Sequence, residues 1–322
     1  MKRARDLAAE LGISEGELVA RSLGSDAIRL SQDHAKILLD LPRVGRCMAL
    51  TRNEPCVSEV KGRYGGIELG AHAGQVIGQA IDLRVFLTRW HAAFEVKAND
   101  RRSVQIFDRT GTAVHKVYLE PDGELAAWER LIETHRIDPV VPTWEAATVK
   151  TETPDREIDR DGLARDWDAM TDTHEFFHLL AKHRASRTQA LRLAGDERAR
   201  AVRNNAIELL LHEAVESGER IMIFVGNPGC IQVFSGAIAN VVRHGPWLNV
   251  LDPGFNLHLR DDLVAASWVV AKPTRSGVVR SLELYDRSGE TIALVFAKRD
   301  DRERAENPAW QQVLERLPEV RA

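Results

Sequence analysis

Two histidines four residues apart, His174 and His178, lie in the stretch Thr171-Asp-Thr-His-Glu-Phe-Phe-His-Leu-Leu180. A spacing of four puts both imidazoles on one face of a helix. Thr171 or Asp172 can cap that helix, and Glu175 stands where a capping-box acid would for a cap at Asp172. Met170, Phe176, Phe177, Leu179 and Leu180 supply apolar surface beside them. Imidazole is a versatile metal ligand, and two of them next to two phenylalanines suit a flat, apolar, metal-centred ligand better than a polar substrate. The alternative is two ordinary helix residues. Arg84 is a second candidate, because it interrupts the strand-like run Ile81-Asp-Leu-Arg-Val-Phe86. Its guanidinium either pairs locally, with Asp82 the natural partner, or points into a cavity. Cys230 follows the turn Gly226-Asn-Pro-Gly229 and reads as a core thiol, since no histidine stands in a suggestive relation to it. Walker and Gly-x-Gly-x-x-Gly signatures are missing from the sequence.

The chain of 322 residues is 44% hydrophobic and 29% charged, with a net charge of -4. Acids and bases are interspersed, which argues against nucleic acid as a partner. No apolar run approaches the length of a membrane span, and Met-Lys-Arg-Ala-Arg-Asp-Leu at the start has no apolar signal region. The expectation is a cytoplasmic protein without membrane insertion. Cys47, Cys56 and Cys230 form no CxxC and no zinc pattern, as expected of buried thiols in a reducing compartment.

The elements that must position these residues come in duplicate. Ser103 to Tyr118 matches Ser281 to Phe296 without a gap, and both copies read as a strand, an Asp-Arg-Thr/Ser-Gly turn and a second strand. Gly45 to Asn53 resembles Gly218 to Asn227, and Leu7 to Val19 echoes Leu179 to Leu191, with Ser14 matching Ser186. Trp128 and Trp310 open similar closing helices. Strands follow one another without long helices between them, which predicts mainly antiparallel sheets with helices at the ends. The fold class is therefore α+β, an internal duplication of a helices–antiparallel sheet–helix unit. Residues 1–145 form the first repeat, 146–162 a proline- and charge-rich linker, and 163–322 the second repeat. Helices are expected at 31–41, capped by Ser31, and at 171–182, 186–194 and 204–217. The helical pair at 4–22 has the outline of a helix-turn-helix but lacks a basic face. Its recurrence in the second repeat makes it a structural element. Trp90, Trp247 and Trp268 read as core. Arg84 falls where the second copy has His258, and His174 has no histidine counterpart in the first copy; such differences between copies mark candidates for function.

A set of motifs recurs in order along the chain: Arg52-Asn-Glu54, Gly70-Ala-His-Ala-Gly74, Ile81-Asp-Leu-Arg84, Thr171-Asp-Thr-His174, Phe224-Val-Gly-Asn227, Gly229-Cys-Ile-Gln232, Trp247-Leu-Asn249, Phe255-Asn-Leu-His-Leu259, Lys272-Pro-Thr274 and Ser281-Leu-Glu-Leu284. Together they resemble the bacterial cytoplasmic hemin-degrading factors, haem-utilisation proteins that accept imported haem. The resemblance implies haem in a cleft of the second half, facing the first. It implies His174 as axial ligand of the haem iron and Arg84 on the distal side, catalytic if the protein is an enzyme. It also implies Lys272 and Arg299 as basic residues near the propionates. Phe296 replaces a tyrosine that some relatives place in the pocket, and Ser58 stands where some have a second haem-binding histidine. His178 is a possible alternative ligand during transfer. The implied partners are a haem importer at the inner membrane and a downstream haem oxygenase. The implied activity is either haem carriage or opening of the porphyrin ring with release of iron.

Overall fold

The computed structural model describes residues 4–148, 151–298 and 306–320. The first repeat runs α1 (Ala4–Glu10), α2 (Glu15–Ala20), β1 (Ala27–Leu30), α3 (His34–Asp40), β2 (Arg46–Arg52), β3 (Cys56–Arg63), β4 (Ile67–Leu69), β5 (Gly74–Ile77), β6 (Asp82–Val85), β7 (Ala92–Ala98), β8 (Arg101–Phe107), β9 (Ala113–Leu119) and α4 (Leu125–His135). The second runs α5 (Arg160–Asp168), α6 (Glu175–His183), α7 (Arg187–Leu193), β10 (Ala199–Val202), α8 (Ala206–Ser217), β11 (Ile221–Asn227), β12 (Cys230–Gly236), β13 (Val241–His244), β14 (Trp247–Asp252), β15 (Phe255–Arg260), β16 (Ala266–Thr274), β17 (Gly277–Tyr285), β18 (Thr291–Ala297) and α9 (Pro308–Glu315). The α+β duplication holds, and the two copies share their local devices. Ser14 Oγ accepts from the Glu17 amide at 3.1 Å while the Glu17 carboxylate accepts from the Ser14 amide at 2.7 Å. Ser186 and Gln189 repeat this capping box at 3.2 and 3.0 Å.

Three local expectations are corrected. Helix α3 is capped by Asp33, which accepts from the Lys36 amide at 3.2 Å; Ser31 instead accepts from the Asp33 amide and fixes the loop before it. Helix α6 starts at Glu175, not Thr171, because the Asp172 carboxylate captures the His174 amide at 2.8 Å and holds residues 171–174 in turns. Helix α5 arises in the charged stretch: Asp159 caps it, accepting from the Gly162 amide at 2.9 Å. Leu163 and Trp167, four apart, give it a buried stripe.

Among the described residues the strands form two antiparallel sheets of nine, ordered β1-β7-β8-β9-β2-β3-β15-β14-β13 and β10-β16-β17-β18-β11-β12-β6-β5-β4. Each repeat thus lends three strands to the other's sheet. Strand β6 pairs with β12, Val85 opposite Cys230, and β15 pairs with β3, Leu257 opposite Ser58. The inner faces of the sheets, closed by α3, α4, α8 and α9, make one continuous apolar core. Two asparagines stitch it. Asn53 Nδ2 donates to the Gly226 and Ile292 carbonyls at 3.0 and 2.8 Å. Asn227 Nδ2 donates to the Arg52 and Val114 carbonyls at 2.8 Å each. The Oδ1 of each closes its own turn by accepting from the amide of Cys56 or Cys230. Between the sheets Tyr64 OH and His115 Nε2 share a hydrogen bond of 2.7 Å, and His115 Nδ1 reaches Thr51 Oγ1 at 2.9 Å. Burial pushes the His115 pKa down to about 3. All three cysteines are free and buried, and burial pushes the Cys47 and Cys230 thiols up to about 12, as befits core residues. Among the described residues no helix is long and apolar enough to cross a membrane.

Candidate functional site

The outer face of the second sheet is where the candidate residues gather. Arg84 on β6 stands opposite Ile231 on β12, and Asp82 opposite Val233. Val233 stands opposite Phe224 on β11, Phe224 opposite Leu294 on β18, and Leu294 opposite Glu283 on β17. Alternate residues of a strand point to one face. The register therefore puts Arg84, Ile231, Met222, Phe224, Leu294, Phe296, Glu283 and Lys272 on the same side. Their neighbours in sequence, such as Leu83, Ile223, Val225 and Val295, are buried in the core. On the outer side, Met222, Phe224, Ile231, Leu294 and Phe296 are apolar yet only half-buried. Phe224 and Phe296 meet edge to face with ring centres 5.2 Å apart. Strands β12, β11 and β18 thus present an apolar floor, and β6 and β17 on either side of it are four strand spacings, about 19 Å, apart.

One margin of the floor carries Arg84. Its guanidinium pairs with the Asp82 carboxylate and donates to the Leu83 carbonyl at 3.1 Å. Both side chains are part-exposed, so the pair is exchangeable rather than locked.

The opposite margin is a buried charge network beneath α6 and α7. Glu283 accepts from Arg187 Nη2 at 3.0 Å, Lys272 Nζ at 2.6 Å, Ser281 Oγ at 3.1 Å and the Tyr285 hydroxyl. Burial alone would raise the Glu283 pKa, but the two adjacent cations and their hydrogen bonds hold it down, to about 2. Burial lowers the Lys272 pKa to about 8, and Glu283 only partly offsets it. Lys272 Nζ and Arg187 Cζ lie 4.6 and 5.0 Å from the Phe176 ring centre, so α6 is docked through Phe176 on the two cations. Arg187, Glu283 and Tyr285 were not singled out from the sequence. The available signal was Ser281-Leu-Glu-Leu-Tyr285, where polar groups take one face of a strand whose other face is core.

His174 stands at the start of α6, with helical φ and ψ of -71° and -22° that keep His178 one turn away. Its side chain is 81% exposed. His174 Nδ1 donates to Asp172 Oδ1 at 2.6 Å, which leaves Nε2, with its lone pair, on the outer side of the ring. Phe177 and His178 are exposed beside it. Arg299 lies outside the described residues. Trp90 is core, while Trp247 and Trp268 are half-buried. Ser58 is buried between the sheets, accepting from Gln232 Nε2 at 3.2 Å, and so is not on an open face.

The matching face of the first sheet differs in chemistry. Arg52 and Lys116 stand in strand positions that Gly226 and Leu294 hold in the second copy, and Glu15 of α2 pairs with both. Glu15 follows its capping serine as Arg187 follows Ser186, so the charge sign of the helix residue is reversed between copies. His258, the counterpart of Arg84, is bound to Asn249 Oδ1 at 2.7 Å. An apolar floor is thus a property of the second sheet's outer face.

Residues 12–135 and 184–317 each match the haemin-degrading HemS/ChuX domain family, one match per repeat. Over 322 residues the chain is 41% identical to the hemin transport protein HmuS of Yersinia pestis, covering 98% of this chain and 93% of that protein. The structure superposes on apo-PhuS, a heme-binding protein from Pseudomonas aeruginosa, with a TM-score of 0.95 and 44% identity over 99% of this chain and 95% of that one. It superposes on the heme-degrading enzyme ChuS of Escherichia coli O157:H7 with a TM-score of 0.93 and 36% identity, covering 98% and 94% of the two chains.

Proposed function

Since the chain belongs to the haemin-degrading HemS/ChuX family, we propose that it is a cytoplasmic haem-binding protein of haem uptake, which accepts haem and either passes it on or degrades it to release iron. The observation that carries this reading is the half-buried apolar floor of the second sheet, bounded by Arg84 on one side and the helix bearing His174 on the other. The donor set fits haem. The porphyrin would bring nitrogen ligands of its own, and the outward Nε2 of His174 would be the protein's ligand to the iron. Phe224, Phe296, Leu294 and Ile231 give the macrocycle an apolar bed, replacing water along its faces. Arg84 offers the several N–H donors of a guanidinium to a group on the distal side. Lys272 and Arg299 serve the propionates, Lys272 by exchanging the Glu283 carboxylate for a ligand carboxylate. His178 is a second imidazole one turn from His174, placed for hand-over. Residues 1–145 then supply the distal side and 163–322 the proximal side, joined by 146–162. The haem donor is an importer at the inner membrane, and the acceptor is a downstream haem oxygenase unless this chain degrades haem itself. When bound, haem supplies the iron that activates dioxygen or peroxide; the chain binds, orients and shields it.

Hemin added to the purified protein is expected to give a sharp Soret band. His174→Ala should shift that band and weaken binding at least tenfold; an unaltered spectrum would remove the axial assignment. Carriage and degradation separate when an electron donor is supplied with catalase present. Loss of the Soret band with iron release and a bilin-like product means degradation, with Arg84 as its distal residue; a persistent band means carriage.

A further inference from the structure

We propose that Asp172 is the positioning residue for His174, holding the ring in one tautomer and one orientation and lending the axial imidazole anionic character. The inference rests on His174 being the iron ligand. It adds a residue that the family motif does not itself assign a role.

The geometry is specific. One carboxylate oxygen, Asp172 Oδ1, accepts twice from the same residue: from the His174 amide at 2.8 Å and from His174 Nδ1 at 2.6 Å. The first contact fixes the backbone just ahead of α6, and the second fixes the ring on that backbone. With Nδ1–H committed to a carboxylate, the lone pair is at Nε2, the atom left to bind metal. A hydrogen bond to an anion withdraws the Nδ1 proton from the ring and makes Nε2 a stronger donor than a free imidazole. Strong donation favours the ferric over the ferrous state and strengthens the iron–nitrogen bond. The arrangement also separates the two histidines of the motif. The residue two before His174 is Asp172, whereas the residue two before His178 is Phe176, buried against the Arg187–Lys272 network. His178 therefore has no equivalent local backing and is the weaker donor of the pair. Thr171 Oγ1 and the Thr171 amide, held by the Glu175 carboxylate at 2.8 and 3.3 Å, close the turn on its other side and keep Asp172 in place.

The test compares wild type, Asp172→Asn, Asp172→Glu, His174→Ala and His178→Ala, each loaded with hemin. The readouts are the iron–histidine stretching frequency of the ferrous form by resonance Raman and the haem reduction potential. Asp172→Asn keeps an oxygen acceptor but removes the charge. It should lower the stretching frequency and raise the potential, and it should weaken ferric hemin binding by about tenfold. Asp172→Glu should fall between the two, because the longer arm reaches Nδ1 less squarely. If Asp172→Asn leaves frequency and potential at their wild-type values while His174→Ala shifts the band and weakens binding, ligation by His174 stands and the role of Asp172 is refuted. If His174→Ala leaves the spectrum unaltered and His178→Ala loses the band, the ligation reading itself fails. A loss of affinity without a frequency shift would assign Asp172 a purely structural part and would also overturn the proposal.

Discussion

At the residue scale, two buried histidines make the fold acid-sensitive. Burial lowers the pKa of His115 to about 3 and of His34 to about 4, both from an ordinary 6.5. Below 6.5 the unfolded chain takes up protons that the folded chain refuses. Stability is therefore unaffected above 6.5 and falls as the pH drops toward 4 for His34 and 3 for His115. The slope is up to about 1.4 kcal/mol per pH unit for each. Urea midpoints should fall between pH 6.5 and 4 and stay level from 7 to 8. His115→Leu should flatten part of that fall, even though it sacrifices the Tyr64 and Thr51 hydrogen bonds and starts from a lower neutral stability. On the outer face of the second sheet, Arg84→Ala should leave a strong Soret band when hemin is added while changing how that band responds to pH, followed by visible absorption. His174 and Arg84 were legible as candidates because a histidine in a phenylalanine-rich motif and an arginine in an apolar strand are each out of place. Asp172 was legible only as a helix cap, since sequence cannot distinguish an oxygen that caps an amide from one that also holds a ring.

At the scale of elements, the repeat could be read wherever a local device is repeated, as with the Ser14 and Ser186 capping boxes or the β8–β9 and β17–β18 hairpins. It could not be read where an element owes its form to its neighbours. Strands β1 and β10 are four residues long, with Arg29 and Arg200 among them, and are drawn straight by pairing with β7 and β16. Helix α5 begins within the stretch read as linker and was not foreseen because its only large apolar anchors are Leu163 and Trp167, buried against neighbouring helices and strand β16. The two asparagine turns show how much one such device carries. Asn227→Ala removes two hydrogen bonds to the other repeat and leaves the Arg52 and Val114 carbonyls without that donor. It should cost about 2–4 kcal/mol, read as a lowered urea midpoint with an unchanged slope. Asn53→Ala should cost a similar amount by the same reasoning.

At the scale of the molecule, the duplication announced two similar units, but equivalence in sequence carries no information about which copy a strand pairs with. The exchange of β4–β6 for β13–β15 is set by register between edges, such as Val85 against Cys230, and only the folded chain displays it. It makes each repeat incomplete alone. Residues 1–148 and 151–322 expressed separately should aggregate or remain largely unfolded, since each would bare a long strand edge at β3 or β12. Refolded together they should recover the Soret response to hemin, and the intact chain should unfold in one transition. The exchange also bears on synthesis. On the ribosome the first sheet waits for residues 255–260 before β3, already paired with β2, gains its second neighbour. The earlier repeat therefore keeps an open seam until residue 255 has been made, and a stall or truncation after residue 148 would release a chain that chaperones must hold rather than a finished half.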